Sequence, residues 1–318
     1  MLTTEQLRLF NKNGFLVVEK VLDDEDLLPL ELEYKNLLDD LSRQLLKQGK
    51  LSRLYEEHCF AKRFEKIVSQ VPQCIDYFNI SLPLVNGPID ASHYRAHTGP
   101  AVFYLLKNSK ILDIVESVIG SEISSSPVQQ MRLKPPQRKL NNESVSHSGV
   151  GVTTWHQDTV AVLPEAENTN QLTVWIAVTD ANEKNGCLVS IPGSHLEGAY
   201  KHVPGAIPRE PTVPAPIING RQGIPLPIDR GGLIIFHKQN IHSALPNRSD
   251  QLRWSLDVRY HPTGQPSGRP AFPGFIARSR SNPNSELKDP VLWNQLWVDA
   301  REKIVNGQYK GLMFNDWE

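Results

Sequence analysis

His156 and Asp158 stand two residues apart in a short stretch, Trp155 to Asp158, that runs into the apolar Val160 to Leu163. On a strand, residues i and i+2 point to the same face, so the imidazole and the carboxylate converge on one point. That pairing suits a divalent first-row metal. One further histidine would complete the two-histidine, one-carboxylate set of non-haem Fe(II) chemistry, which leaves coordination positions open. A His-x-Asp pair is common by chance, so its meaning rests on the elements that would position it.

Those elements change character along the chain. Near the N-terminus, Thr4, Leu7 and Phe10 followed by Gly14 predict a short capped helix, and Phe15 to Val18 predict a brief strand. Asp23, Asp24 and Glu25 open a second helix with Leu27, Leu30, Leu37, Leu38 and Leu41 at helical spacing. A third is expected over about 53–71, and a fourth from Pro100 to a stop at Gly120. From residue 127 short β-rich segments alternate with Pro, Gly and Asn turns. Strands are expected near 128–133, 153–156, 172–179, 187–191, 232–236 and 253–260. A last helix, about 286–305, carries Trp293 and Trp297 four residues apart as packing aromatics. The order, helices first and strands later, predicts a mainly β fold, a double-sheet core with helices on one face.

Composition bounds the function classes. The 318 residues carry 34 Lys+Arg against 35 Asp+Glu, which argues against nucleic-acid or polyanion binding by simple electrostatics. Cys59, Cys74 and Cys187 are odd in number and widely spaced, suggesting neither a disulfide framework nor a thiolate metal site. Residues 1–6 do not read as a signal peptide and no apolar run reaches membrane-spanning length, so a soluble, cytoplasmic protein with no membrane partner is expected.

A second stretch, Gly231 to Ser249 followed by Arg253, places an apolar strand before His237, then His242, then an arginine eleven residues after His242. With the first stretch it resembles the phytanoyl-CoA dioxygenase family of Fe(II)/2-oxoglutarate oxygenases. The opening helix and strand to Val18, the segment Lys134-Pro135-Pro136, Trp175, and the run Asn185 to His195 resemble further family motifs in the family's order, over most of the chain.

The resemblance implies a double-stranded β-helix, a cupin-like jelly roll, in one domain spanning 1–318. Its parts would be a helical part at about 1–125, a core at about 126–262, and a C-terminal loop and helix at 263–318. It implies Fe(II) held by His156, Asp158 and His242, with 2-oxoglutarate and O2 as cosubstrates and ascorbate as a stimulant. Arg253 matches the arginine that takes the far carboxylate of 2-oxoglutarate, and Trp175 a position beside it. The implied reaction is hydroxylation of an aliphatic carbon of a small-molecule metabolite, releasing succinate and CO2. Desaturation, epoxidation, ring formation or epimerisation lie within the same class. An inactive jelly-roll binding protein with a vestigial metal site is the alternative from another class. Ala244 stands where relatives often carry a cosubstrate-binding hydroxyl, and Gly232 replaces a common aspartate.

Lys134 and Gln130, on a strand leading to the site, are further cosubstrate candidates. Trp155 as a pocket wall, His147 and Arg278 are candidate substrate contacts. The loops at 78–99, 204–227 and 262–283 are the expected substrate determinants, because binding residues concentrate on loops around a rigid scaffold. His195 and His237 read as structural. The protein is expected to act as a monomer or homodimer.

Overall fold

The computed structural model describes residues 1–82, 95–140, 150–205 and 211–308. In chain order the N-terminal part gives α1 (Thr4–Asn13), β1 (Phe15–Val18), α2 (Asp24–Lys47), α3 (Phe60–Val68), α4 (Pro100–Leu106) and α5 (Ser109–Ile119). The strands that follow are β2 (Glu122–Ser125), β3 (Gln130–Lys134), β4 (Thr153–His156), β5 (Leu172–Ala177), β6 (Leu188–Ser190), β7 (Val203–Pro204) and β8 (Pro211–Thr212). After α6 (Ala215–Ile218) come β9 (Ile224–Leu226), β10 (Leu233–His237), β11 (His242–Ala244), β12 (Arg253–Pro262), β13 (Phe275–Ser279) and α7 (Pro290–Val305).

Two antiparallel sheets face each other as a jelly roll. The larger runs β1-β10-β5-β12-β2-β13 with β3 also on β12, and the smaller runs β4-β11-β6-β9. The large sheet has two different faces, set by the two-residue period of a strand. Leu172, Val174 and Ile176 of β5, Leu233 and Ile235 of β10, and Leu256, Val258 and Tyr260 of β12 join the main apolar core together with the helices. The intervening residues turn toward the small sheet. There Trp175, Ala177, Ile234 and Phe236 meet Leu188, Leu226 and Ala244.

The helices are built for that outer face. α2 starts with a capping box between Asp23 and Asp26 and buries Leu27, Leu30, Tyr34, Leu38, Leu41 and Leu45 along one stripe. Each such side chain removed from water contributes about 1.5–3 kcal/mol. Trp293 and Trp297 of α7 are buried in the same core, as their spacing suggested.

Several boundaries differ from the sequence reading, for physical reasons. β1 pairs with β10 and β13 with β2, so the sheet recruits strands from outside 126–262. A helical N-terminal part and a β core are therefore not separate in space. β13 lies in a segment that its Pro and Gly content marked as loop, and β2, β9 and β11 are only three or four residues long, too short to show a period. α3 starts at Phe60, not near 53.

Candidate metal and cosubstrate site

The small sheet supplies the two histidines. His156 ends β4 and His242 begins β11, and they are direct cross-strand partners, with ring centroids 4.3 Å apart. Each ring is fixed by its Nδ1, which donates to a carbonyl two residues back: Thr154 O at 2.8 Å for His156 and Asn240 O at 3.1 Å for His242. That tautomer leaves both Nε2 atoms free to bind a metal. Phe236 stacks on His242 at 4.5 Å. Burial, and then the neighbouring His242, hold the His156 imidazole well below its usual pKa, so it is neutral and able to coordinate.

Asp158 reaches the same point by another route. β4 ends at His156, and Asp158 opens a single 3-10 turn. Gln157 between them stays extended, so the alternation persists one residue past the strand before the chain turns. Asp158 Oδ1 comes within 3.9 Å of His156 Nε2, and one ligand atom from each of the three residues lies within 4.8 Å of the others. Burial alone would push the Asp158 carboxyl up. The Arg259 guanidinium beside it overrides this, and its pKa falls well below the usual carboxylate range. Two imidazoles with free Nε2 atoms and one ionised carboxylate, with one side open to a pocket, fit an iron(II) ion.

The inward face of β12 carries Arg253, Ser255, Asp257 and Arg259. Arg253 is fully buried. Its guanidinium donates to Ser255 Oγ at 2.6 Å and lies over the Trp175 ring at 5.4 Å, while Nε and Nη2 have no partner. Burial lowers its pKa to about 10, so it is protonated at neutral pH. A buried cation with two idle N–H donors fits a carboxylate arriving from outside. Lys134, its register partner on β3, is buried and donates to Thr153 Oγ1 at 3.0 Å. Gln130 faces Asp257 across the same pair of strands.

The pocket over the metal ligands is lined by Arg132, Thr153, Trp175, Asp257 and Arg259, among others. Arg132 and Asp257 form a buried ion pair at 2.5 Å. Thr153, Asp257, Arg259 and Thr173, which also lines the pocket, were not singled out by sequence. Asp257 and Arg259 follow Arg253 at the strand period, which was the available signal, and Thr173 shares a face with Trp175.

Two expected substrate contacts lie elsewhere. Trp155 is not a pocket wall. His242 and Ala244 pair with His156 and Thr153, so β4 spends one extra residue against β11. Trp155, next to the inward His156, takes the opposite face by the strand period and packs behind the small sheet with Ile191, Val213, Ile217 and Ile218, while the bulge turns Thr153 inward. Arg278 is tied to Asp113 and Glu116 of α5, on the far side of the large sheet. The described part of 204–227 likewise packs behind the small sheet or joins it as β9, and that of 262–283 supplies β13. His147 and most of the 78–99 loop lie outside the described residues.

A jelly roll with this ligand set between its sheets and an unpaired arginine behind it has the framework of iron- and 2-oxoglutarate-dependent oxygenases. A family model for phytanoyl-CoA dioxygenase (PhyH) matches residues 10–255. Phytanoyl-CoA dioxygenase domain-containing protein 1 of Bos taurus is 24% identical over 267 residues, covering 79% of this chain and 87% of that protein. Among solved structures, the non-haem monooxygenase ThoJ superposes with a TM-score of 0.53 at 17% identity, covering 94% of this chain and 97% of the other. SnoK, a non-haem α-ketoglutarate-dependent carbocyclase of nogalamycin biosynthesis, gives 0.51 at 17% identity, covering 91% and 94%. The chain belongs to the phytanoyl-CoA dioxygenase family, and it is a 2-oxoglutarate-dependent oxygenase that uses iron.

No helix among the described residues is long and apolar enough to cross a membrane.

Proposed function

We propose that this protein, acting as one oxygenase domain, hydroxylates an aliphatic carbon of a small-molecule metabolite and converts 2-oxoglutarate to succinate and CO2. The observation that carries the cosubstrate assignment is Arg253, a buried guanidinium with Nε and Nη2 unpaired, lying over Trp175, which lines the pocket at the metal ligands. Iron held by His156, Asp158 and His242 would supply the dioxygen chemistry. The chain's own residues do the rest. Arg253 takes the far carboxylate of 2-oxoglutarate and sets its direction. Trp175 forms a wall along that path, and its buried Nε1, which has no partner, offers one more donor.

Asp158 favours hydroxylation over halogenation, because its carboxylate fills the coordination position that a halide would need. SnoK, a carbocyclase, illustrates that one fold serves several outcomes, so product analysis decides between hydroxylation and ring formation. The test is to incubate the iron-loaded protein with 2-oxoglutarate and a panel of metabolites. Substrate-stimulated succinate release with a product heavier by one oxygen supports the proposal. A product lighter by two hydrogens would replace hydroxylation with desaturation or ring closure.

A further inference from the structure

Asp158 differs from the two histidines in how it is held. His156 and His242 sit in a strand ladder, but Asp158 lies on a turn beyond the end of β4 and has no ladder to fix it. Its carboxylate is instead gripped from the opposite sheet. Arg259 donates to Oδ1, and Thr173 Oγ1 donates to Oδ2 at 2.6 Å. Arg259 and Thr173 are register partners on β12 and β5, so the two grips come from adjacent strands at one level. The Arg259 guanidinium is itself anchored, donating to Val128 O at 3.1 Å, and is buried.

We infer that Arg259, acting through Asp158 and together with Thr173, is a positioning residue of the metal centre. This inference rests on the reading of His156, Asp158 and His242 as the ligands. Thr173 keeps Oδ2 turned away, so that Asp158 presents Oδ1 alone beside His156 Nε2. Arg259 fixes the angle at which Oδ1 is presented. The grip ties the carboxylate, carried past the end of a small-sheet strand, to the large sheet, and so makes the ligand set a property of how the two sheets pack.

A plainer role, neutralising a buried carboxylate, makes the opposite prediction. A cation beside Asp158 repels an incoming dication, so removing it would tighten metal binding. If Arg259 orients the ligand, removing it weakens binding, by the 10- to 100-fold typical of residues that hold a metal ligand in place. The sign decides between the two.

The experiment uses the full chain stripped of metal and titrates Mn(II) alone, without cosubstrate, reading free Mn(II) by electron paramagnetic resonance. Arg259→Met is expected to bind about 10- to 100-fold more weakly. Arg259→Lys, which keeps the charge and one donor, should recover to within about tenfold of the wild type. Mn(II) binding by Arg259→Met that equals or exceeds that of the wild type overturns the inference. Arg259→Met leaves Asp158 buried without a counter-charge and could fail to fold. Thr173→Val then carries the test, since it frees Oδ2 without changing charge. It should bind about tenfold more weakly and change the visible spectrum of the Co(II)-substituted protein; unchanged affinity and spectrum overturn the inference. Wild-type protein that takes up no Mn(II) would overturn the ligand assignment itself, and this inference with it.

Discussion

Replacing Arg253 with methionine separates a residue kept for binding from one kept for stability. Arg253 is fully buried, the carboxylate that acts on it, Asp257, is already paired with Arg132, and two of its three nitrogens have no partner. Each buried unsatisfied donor costs about 1–3 kcal/mol, against about 1.5–3 kcal/mol returned by the single charge-assisted bond to Ser255. Methionine fills much of the same volume without polar atoms and leaves no charge stranded. The protein free of metal and cosubstrate should therefore gain about 1–2 kcal/mol in unfolding free energy, read from the urea midpoint at constant slope. The same variant should lose 2-oxoglutarate binding. Arg253→Lys keeps the charge but loses the forked donors, about 1.5–3 kcal/mol, which corresponds to roughly 10- to 150-fold in the dissociation constant. Isothermal titration of the Mn(II)-loaded protein with 2-oxoglutarate measures this. A destabilised Arg253→Met protein that binds 2-oxoglutarate normally would refute the reasoning, and Lys134 would be the next residue to test.

Other outcomes follow from the same structure. Burial holds both His202 and His237 down to about pKa 4, so the unfolded chain binds more protons than the folded one between about pH 4 and 6.5. Stability should be complete above about pH 6.5 and fall as the pH drops through that window. Discounted for partial solvent exposure, the loss is about 1–2 kcal/mol per histidine in urea melts of the metal-free protein, and a flat profile would contradict it. Turnover in high chloride or bromide should give no halogenated product by mass spectrometry, because Asp158 occupies the position a halide would take; a halogenated main product would overturn that reading. Gly231 has φ +81°, and a Cβ there would meet Leu22 O at 2.1 Å, so Gly231→Ala should lower the thermal midpoint by separating β1 from β10.

The motifs were legible because they are local. His156 and Asp158 converge through one extended residue, which a spacing rule captures even though the strand ends before Asp158. The β5 and β12 segments showed as apolar and β-branched runs because one of their faces meets the helices. The other face of β12 is polar and just as buried, and no single-strand pattern shows that Arg259 reaches across the barrel to Asp158. Trp155 alternates with His156, so the strand period itself puts it on the outer face; the bulge against β11 that turns Thr153 inward is a feature of pairing that β4 alone does not encode. Arg278, in a stretch rich in Pro and Gly, looked like a loop residue; its attachment to α5 depends on β13 pairing with β2 across about 150 residues of chain.

The most direct test of the central claim is iron-dependent conversion of 2-oxoglutarate to succinate by the purified protein, compared with His242→Ala. The account predicts that the wild type binds one Fe(II) and releases succinate, and that His242→Ala has lost most of both, since one of three ligands is gone. A wild-type protein that holds iron yet forms no succinate with any substrate offered would contradict it. So would His242→Ala that retains stoichiometric iron and full turnover.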